Sequence, residues 1–211
     1  MTTIMNDRSG SLREILPRSF FNRDVVVVAE DLLGKLLVRR SRAGMCVGRI
    51  VETEAYLAAG DSACHAARGK TKKNATMFGN PGLAYVYAIH ARYCLNTVTE
   101  AAGRPSAVLI RAVEPITGIE IMQQRRGSDK LTDLCRGPAR LCEAFGIDRR
   151  LDGWDLQRGT RLWIGDDGMT DDMIALVGRS ARIGVTSEML AELRFFVNGS
   201  PFVSGPKYLH R

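Results

Sequence analysis

The clearest pattern of polar and apolar positions is the alternation within residues 48–56. In a β-strand successive side chains point to opposite faces, so Ile50, Glu52, Glu54 and Tyr56 are predicted to share one face. Two carboxylates and a tyrosine beside a core isoleucine are unusual for a half-buried strand. The pattern therefore predicts that one of the acids lies in a functional site or pairs with an arginine.

The other patterns predict a chain of mixed helices and strands. Further strands are predicted at 35–40, 45–57, 84–88, 93–98, 106–113, 161–164, 180–185 and 194–197. Helices are predicted within 22–33, where apolar residues recur on one helical face, around Ala63, over 116–126, and from Pro138 onward. We expect an α+β fold with one curved, mainly antiparallel sheet flanked by helices. A single domain is expected over 17–211, after a disordered extension over 1–16.

Two connections stand out in this arrangement. Strands 84–88 and 93–98 are close enough to form a hairpin, with His90 near its tip. The segment 58–82 is long and polar, and such connections within compact domains are usually functional or disordered.

The charge of the chain favours a polyanionic partner. Thirty Lys and Arg against 23 Asp and Glu give a formal net charge of +7. Charge alone fits a basic soluble enzyme equally well. The concentration of Lys70, Lys72 and Lys73 within four positions strengthens the case for a nucleic acid.

Composition argues against several other classes of protein. Five cysteines without a CxxC pair, and only three histidines, do not suggest a zinc site, so no metal or cofactor is expected. Reduced, partly buried thiols in a reducing compartment are the simpler expectation. No apolar run approaches about 20 residues, so no membrane span is expected. The first residues lack a hydrophobic signal region.

Eight segments occur in order between Phe20 and Val203 and together resemble one enzyme family. They are GRIVETEAY, the spaced His65, MF…PG..YVY, Asn96, VLIRAVEP, GPARLC, RIGV and RFFVNGSP. The chain thus resembles the alkyladenine DNA glycosylases, also called 3-methyladenine or N-methylpurine DNA glycosylases. The resemblance implies a monomeric base-excision-repair enzyme that acts on double-stranded DNA. It would flip out alkylated or deaminated purines, hydrolyse the N-glycosidic bond and leave an abasic site without a lyase step.

The resemblance assigns the water-activating acid to Glu54, with Arg111 and the main chain of Ile183 helping to hold the water. A carboxylate can stabilise an oxocarbenium-like sugar and take a proton from water. From the residues alone, Glu54 fits half of a structural ion pair, and Arg111 fits a buried partner of Glu52.

The resemblance also implies a pocket for the flipped base, formed by Tyr56, His65 and Tyr87. Stacking on aromatic side chains contributes about 1–3 kcal/mol per base, and a cationic alkylpurine gains a further cation–π attraction. Asn96 would border the purine and exclude the exocyclic amine of guanine. The alternatives are core packing for the tyrosines, a solvent-facing loop position for His65 and a cross-strand hydrogen bond for Asn96.

The remaining expected roles are contacts with DNA. His90 occupies the hairpin position where the family places a wedge, often a tyrosine, that fills the gap left by the base; an ordinary exposed turn residue is the alternative. Phosphate contacts are expected from Arg140, Lys72, Lys73 and Arg92. Arg140 is favoured because it follows Gly137-Pro138 at a helix N-terminus, where anions bind.

Two other functions fit parts of the sequence. A non-catalytic protein that binds DNA lesions could use the same scaffold and pocket. A nucleoside hydrolase or formyl-transfer-type enzyme is disfavoured, because a free nucleoside needs neither the basic tract nor the hairpin. We expect a cytoplasmic protein of a bacterial nucleoid, or a nuclear one if the source is eukaryotic.

Overall fold

The computed structural model describes residues 14–168, 176–185 and 191–206. Its strands are β1 Glu14–Ile15, β2 Leu36–Ser41, β3 Gly44–Tyr56, β4 Ala84–Ile89, β5 Arg92–Thr99, β6 Ser106–Thr117, β7 Leu162–Asp166, β8 Val177–Ser180 and β9 Arg194–Val197. Its α-helices are α1 Arg18–Phe21, α2 Val25–Asp31, α3 Ile119–Arg126, α4 Leu131–Leu134 and α5 Pro138–Phe145. The described residues therefore form an α+β fold.

One antiparallel sheet organises the molecule, in the order β1-β7-β2-β3-β6-β5-β4. The sheet is curled into a half barrel, which confirms the predicted curvature. Strand β3 is central: β6 lies along one edge, and β2 and then β9 share the other edge. This arrangement places the end of β3 that carries Glu52 and Glu54 between β6 and β9.

The β3–β6 pairing changes register on both sides of Glu52. Ile50 lies opposite Val113, but Glu52 lies opposite Ala112 and Thr53 opposite Ile110. Such irregularities bend a strand and redirect side chains. As a result, the alternation predicted for this strand holds only in part, since Ile50 and its neighbour Val51 both belong to the main core.

Helix α2 follows its predicted amphipathic pattern. The carboxylate of Asp24 accepts hydrogen bonds from the backbone N–H groups of Val26 and Val27, which caps the helix. Val28 and Ala29 on its inner face are fully buried against the sheet. The Thr53 hydroxyl on β3 also donates to the Ala29 carbonyl at 2.7 Å, which links helix α2 to this strand.

Two predicted elements were wrong, and a third begins later than predicted. The helix predicted over 116–126 begins only at Ile119, because β6 continues to Thr117 and Gly118 turns the chain with φ 76°. No helix forms around Ala63; the connection 58–82 instead has turns and a 3₁₀ helix at Ala75–Phe78. The strand predicted at 180–185 is Val177–Ser180, and residues 182–185 form an irregular segment.

The sheet begins earlier than the predicted domain boundary. Glu14 and Ile15 pair with Asp166 and Gly165, and Leu16 is buried. Residues 1–13 and 207–211 lie outside the described part of the chain. No helix in the described part is both long and apolar enough to cross a bilayer.

The core has one large cluster, a smaller cluster beside it around Met77, and a third around Leu36 and Trp163. The large cluster lies between the sheet and helices α2, α3 and α5. The smaller cluster includes Met77, Tyr85 and Val98, with Tyr56 and Tyr87 packed at its margin. All five cysteines are buried free thiols. The smaller cluster matters for function because it supports a cavity.

Candidate active site

A cavity of about 620 Å³ opens beside the smaller core cluster. Six residues expected to act in a site line it: Tyr56, His65, Tyr87, Asn96, Arg111 and Ile183. They come from β3, the connection 58–82, β4, β5, β6 and the segment 182–185. Residues separated by up to about 130 positions therefore meet at one place, which local sequence patterns cannot show.

Several lining residues were not anticipated from the sequence. They include Met77, Tyr85, Ile89, Cys94, Leu109 and Pro138. Strand periodicity could have identified Tyr85 and Ile89, because both lie on the same face of β4 as Tyr87. The cavity is thus more apolar than the predicted residues alone suggest.

Glu54 lies directly behind the cavity wall and is fully buried. The backbone N–H of Ile183 donates to its Oε1 at 2.7 Å, and the Tyr56 hydroxyl donates to its Oε2 at 2.9 Å. The Arg111 guanidinium lies 3.1 Å from Oε1. All three contacts come from residues that line the cavity; two are hydrogen bonds and the third is an ion pair.

Glu52 is also fully buried but has a different set of partners. It binds the Arg111 Nε at 2.9 Å and the Arg194 Nε at 2.7 Å. The backbone N–H of Ser204 donates to its Oε2 at 2.7 Å. Since Arg194 is fully buried as well, this network ties β3, β6, β9 and the 202–204 segment together. Glu52 is a structural ion-pair partner, while Arg111 bridges both acids.

The two acids have pKa values shifted in opposite directions. Burial raises the pKa of Glu54, despite the opposing effects of Arg111 and the Ile183 N–H. Burial alone would also raise the pKa of Glu52, but Arg111 and Arg194 outweigh it and hold this pKa below its usual value. Neighbouring acids whose environments separate their pKa values are typical of acid–base sites.

Three aromatic rings form one wall of the cavity. The His65 and Tyr87 rings are 4.3 Å apart at 75°, and the Tyr85 and Tyr87 rings are 5.5 Å apart. His65 Nδ1 is hydrogen-bonded to the Tyr85 hydroxyl at 2.9 Å. Partial burial of the ring lowers the pKa of His65, and burial raises the pKa of Tyr85 to about 12. Both groups are therefore uncharged near neutral pH.

The surroundings of His65 and of Asn96 fit both the site role and the alternative role predicted for each residue. His65 is exposed, as a loop residue would be, yet its ring contacts Tyr85 and Tyr87. Asn96 donates from Nδ2 to the Tyr85 carbonyl at 3.1 Å, which is the cross-strand hydrogen bond considered above. Its side chain nevertheless lines the cavity.

A buried ion pair that sequence reasoning missed lies against Tyr56. The Arg182 guanidinium is 4.5 Å from the centre of the Tyr56 ring. It forms a bidentate pair with Asp61, at 2.6 and 2.8 Å, and donates to the Ala55 carbonyl at 2.9 Å. The signal available in the sequence was the position of Arg182 immediately before Ile183.

The hairpin of β4 and β5 ends in a two-residue turn at His90 and Ala91. Both residues have positive φ, 47° and 64°, which is unfavourable for residues other than glycine. Ile89 and Arg92 pair at the base of the turn, and all four residues are exposed. Ile89 is 46% exposed and lines the cavity, so the hairpin tip adjoins its opening.

The four expected phosphate-contacting cations are all exposed. Lys72 and Lys73 lie on the connection that carries His65, and Arg92 lies at the hairpin tip. Arg140 lies in the first turn of α5, whose Pro138 lines the cavity, and is 3.8 Å from Asp133. Each cation therefore belongs to an element that also contributes to the cavity.

Comparison with known proteins places the chain in one family. The family model for methylpurine-DNA glycosylase matches residues 19–201. A "Putative 3-methyladenine DNA glycosylase" of Mesorhizobium japonicum is 48% identical over 195 residues, 92% of each chain. Identically named proteins of Carboxydothermus hydrogenoformans and Methanocella arvoryzae are 45% and 47% identical, covering 90% of this chain and 98% and 96% of theirs. The chain belongs to the methylpurine-DNA glycosylase family.

Proposed function

We propose that this protein is a monofunctional DNA glycosylase that releases damaged purines from duplex DNA by hydrolysis. The observation that supports this most strongly is Glu54, a buried carboxylate held by two hydrogen bonds and one ion pair directly behind an aromatic cavity. The cavity, about 620 Å³, lies within the usual range for small-molecule sites. Family membership supports the reaction class.

The proposed chemistry centres on the carboxylate of Glu54. Cleavage of the N-glycosidic bond develops positive charge on the sugar, which an ionised carboxylate stabilises. The same carboxylate accepts a proton from the attacking water. Arg111 favours the ionised form of Glu54 and lines the cavity, where it would help to orient the water.

A water nucleophile fits the composition of the site better than a lysine nucleophile. No lysine occurs among the described residues that line the cavity. A glycosylase with lyase activity uses an amine to form a covalent intermediate. The expected product is therefore an intact strand with an abasic site.

Recognition of the base is proposed to rest on aromatic contact. Tyr56, Tyr87 and His65 would stack against the purine, and the cation–π term favours cationic bases such as 3-methyladenine and 7-methylguanine. Neutral bases such as hypoxanthine and ethenoadenine would need protonation before they leave. Asn96 would border the purine and exclude guanine. That all four side chains line one cavity supports this proposal.

The hairpin and the exposed cations are proposed to bind the duplex. His90 would fill the gap left by the extruded nucleotide, as the wedge does in other base-flipping proteins. Arg140, Lys72, Lys73 and Arg92 would contact phosphates and position the protein without reading sequence. Their placement around the cavity supports this assignment.

The decisive experiment is single-turnover release of hypoxanthine and 3-methyladenine from duplex DNA. The wild-type protein should release both bases, and strands should break only after alkali. Glu54→Gln should slow release by about 10²–10⁴-fold, the usual contribution of a general base. Glu120→Gln, an exposed acid on α3, is the matched control and should be as active as the wild type.

A non-catalytic lesion-binding protein is the second candidate, because the aromatic cavity would suit binding alone. That function predicts no base release by the wild type and equal affinity of wild type and Glu54→Gln for lesion DNA. Strand breaks without alkali would instead contradict the monofunctional mechanism.

A further inference from the structure

The buried Asp61–Arg182 pair occupies one face of the Tyr56 ring. The Arg182 side chain is 3% exposed and that of Asp61 is fully buried. The guanidinium lies 4.5 Å from the ring centre. Arg182 is not among the described residues that line the cavity, whereas Tyr56 and Ile183 are. Since the guanidinium covers one face of the ring, a base that stacks on Tyr56 would lie against the other face.

The same pair holds the surroundings of Tyr56 in place. Arg182 donates to the Ala55 carbonyl, and Asp61 accepts the backbone N–H groups of Leu57 and Ala63 at 3.0 and 3.1 Å. Removing either side chain would leave a charge uncompensated in a buried position, which is strongly unfavourable. The position of the ring and the charge behind it therefore depend on one pair.

A charge behind an aromatic ring changes what the ring attracts in front. A cation–π contact depends on the negative face of the ring. An uncompensated guanidinium at the rear would compete for that electron density and repel a cationic base across the ring. With the carboxylate of Asp61 bound to it, the guanidinium contributes little net charge.

We propose that the Asp61–Arg182 pair determines how Tyr56 discriminates between cationic and neutral purines. Because the pair is neutral overall, the cavity admits both classes of base. This inference rests on the function proposed above and adds a specificity-determining pair that does not itself touch the base. A stacked base would lie about 8 Å from the guanidinium, a distance at which one unit charge changes affinity by about tenfold in a partly screened site.

The test is equilibrium binding of duplexes carrying either 7-methylguanine, which is cationic, or hypoxanthine, which is neutral. All variants are made in the Glu54→Gln background, so that no base is released during the measurement. The ratio of the two affinities is the readout, because a general loss of DNA binding affects both duplexes and cancels, whereas misplacement of Tyr56 would weaken the cation–π contact and lower the ratio in both single variants.

The two single substitutions should change this ratio in opposite directions. Asp61→Asn leaves a positive charge behind the ring and should reduce the preference for 7-methylguanine about tenfold. Arg182→Gln leaves a negative charge and should increase it. The double variant Asp61→Asn, Arg182→Gln should restore the ratio of the parent protein, even if both affinities fall.

Other outcomes would overturn the proposal. Equal loss of affinity for both duplexes in both single variants would show that the pair has only a structural role. If a single variant does not fold, Arg182→Lys and Asp61→Glu keep both charges and must leave the ratio unchanged; a changed ratio would contradict the charge argument. Failure of the wild type to release either base would instead refute the proposed function.

Discussion

Glu52 and Glu54 lie two positions apart on one strand, and both are completely buried, yet their chemistry differs. Glu52 binds two arginines, Arg111 and Arg194, and Ser204 adds two further hydrogen bonds. Glu54 has Arg111 as its ion-pair partner and depends otherwise on a backbone N–H and a tyrosine hydroxyl. The negative charge of Glu52 is thus fully balanced by its partners in the fold. Ionisation of Glu54 retains a free-energy cost, which a reaction could use.

The two acids should differ sharply in their effect on stability. Glu52→Gln leaves buried arginines without a full counter-charge, so we expect it to lower the free energy of unfolding by about 3–5 kcal/mol. Glu54→Gln removes a carboxylate whose ionised form is disfavoured by burial, so stability at pH 7 should be unchanged or higher. Urea unfolding of both variants tests this. A larger loss for Glu54→Gln than for Glu52→Gln would contradict the assigned roles.

The raised pKa of Glu54 should also appear in the pH dependence of activity. A general base must be ionised, so the rate falls as pH drops through its pKa. Since burial raises this pKa, the acid limb should lie above the ordinary glutamate value of about 4.3. Single-turnover release of 7-methylguanine should show this limb alone, because a cationic base leaves without further protonation. Hypoxanthine should show an additional alkaline limb, giving a bell-shaped profile.

A flat rate for 7-methylguanine down to about pH 4 would contradict a base with a raised pKa.

The pH dependence of stability should instead follow the other acid, Glu52. The pKa of Glu52 is lowered in the folded state, so its contribution is present above the unfolded value and is lost as pH falls toward the lowered one.

At the scale of elements, the hairpin could be predicted but its turn could not. Its two strands follow from alternation, and both lie where expected. Sequence rules associate positive φ at two adjacent turn residues with glycine and asparagine. The residues His90 and Ala91 therefore do not predict such a tight turn. Positive φ in a residue other than glycine costs about 1–2 kcal/mol. Strain of this kind often accompanies function.

We predict that His90→Ala lowers release from paired duplex more than release from single strands. A wedge is useful only where a stack must be opened, so the single-stranded rate should change little. Single-turnover rates on the same lesion in both contexts measure the difference. Equal losses would argue that His90 has no wedge role.

Ala91→Gly provides the matched comparison at the same turn. Glycine adopts positive φ without strain, so this variant should gain about 1 kcal/mol of stability. Its preference for duplex over single strands should stay as in the wild type.

The elements predicted wrongly were decided by distant contacts. Residues 182–185 are apolar enough for a strand, but Arg182 binds Asp61 and the Ile183 N–H binds Glu54, so the segment leaves the sheet. The expected helix near Ala63 is replaced by turns in which Asp61 accepts the Ala63 N–H. Both failures involve Asp61 or Glu54, whose partners Arg182 and Ile183 lie over 100 positions away. Local propensity cannot register such contacts.

For the molecule as a whole, the charge could be predicted but its distribution could not. The net charge of +7 is visible in the sequence. That Lys72, Arg92 and Arg140 come from three elements bordering one cavity is visible only in the fold. The family resemblance supplied the site residues that local patterns could not connect.

The exposed cations should contribute to the salt dependence of DNA binding. Each phosphate contact releases about one counterion, so Arg140→Ala and Lys72→Ala should each reduce the slope of log affinity against log salt by about 0.9. The loss should be the same for undamaged and damaged duplex. Arg42→Ala removes the same charge from the exposed turn between β2 and β3, at the far end of β3 from Tyr56, and should leave the slope unchanged.

The burial of all five thiols bears on the chemical surroundings of such an enzyme. The agents that methylate purines in DNA also attack cysteine, the strongest nucleophile among protein side chains, through its thiolate. Burial raises the pKa of each thiol in this protein, which favours the protonated sulfur, and it shields all of them except Cys94, which lines the cavity. We therefore expect the fold to limit alkylation of this protein by the same agents that methylate DNA.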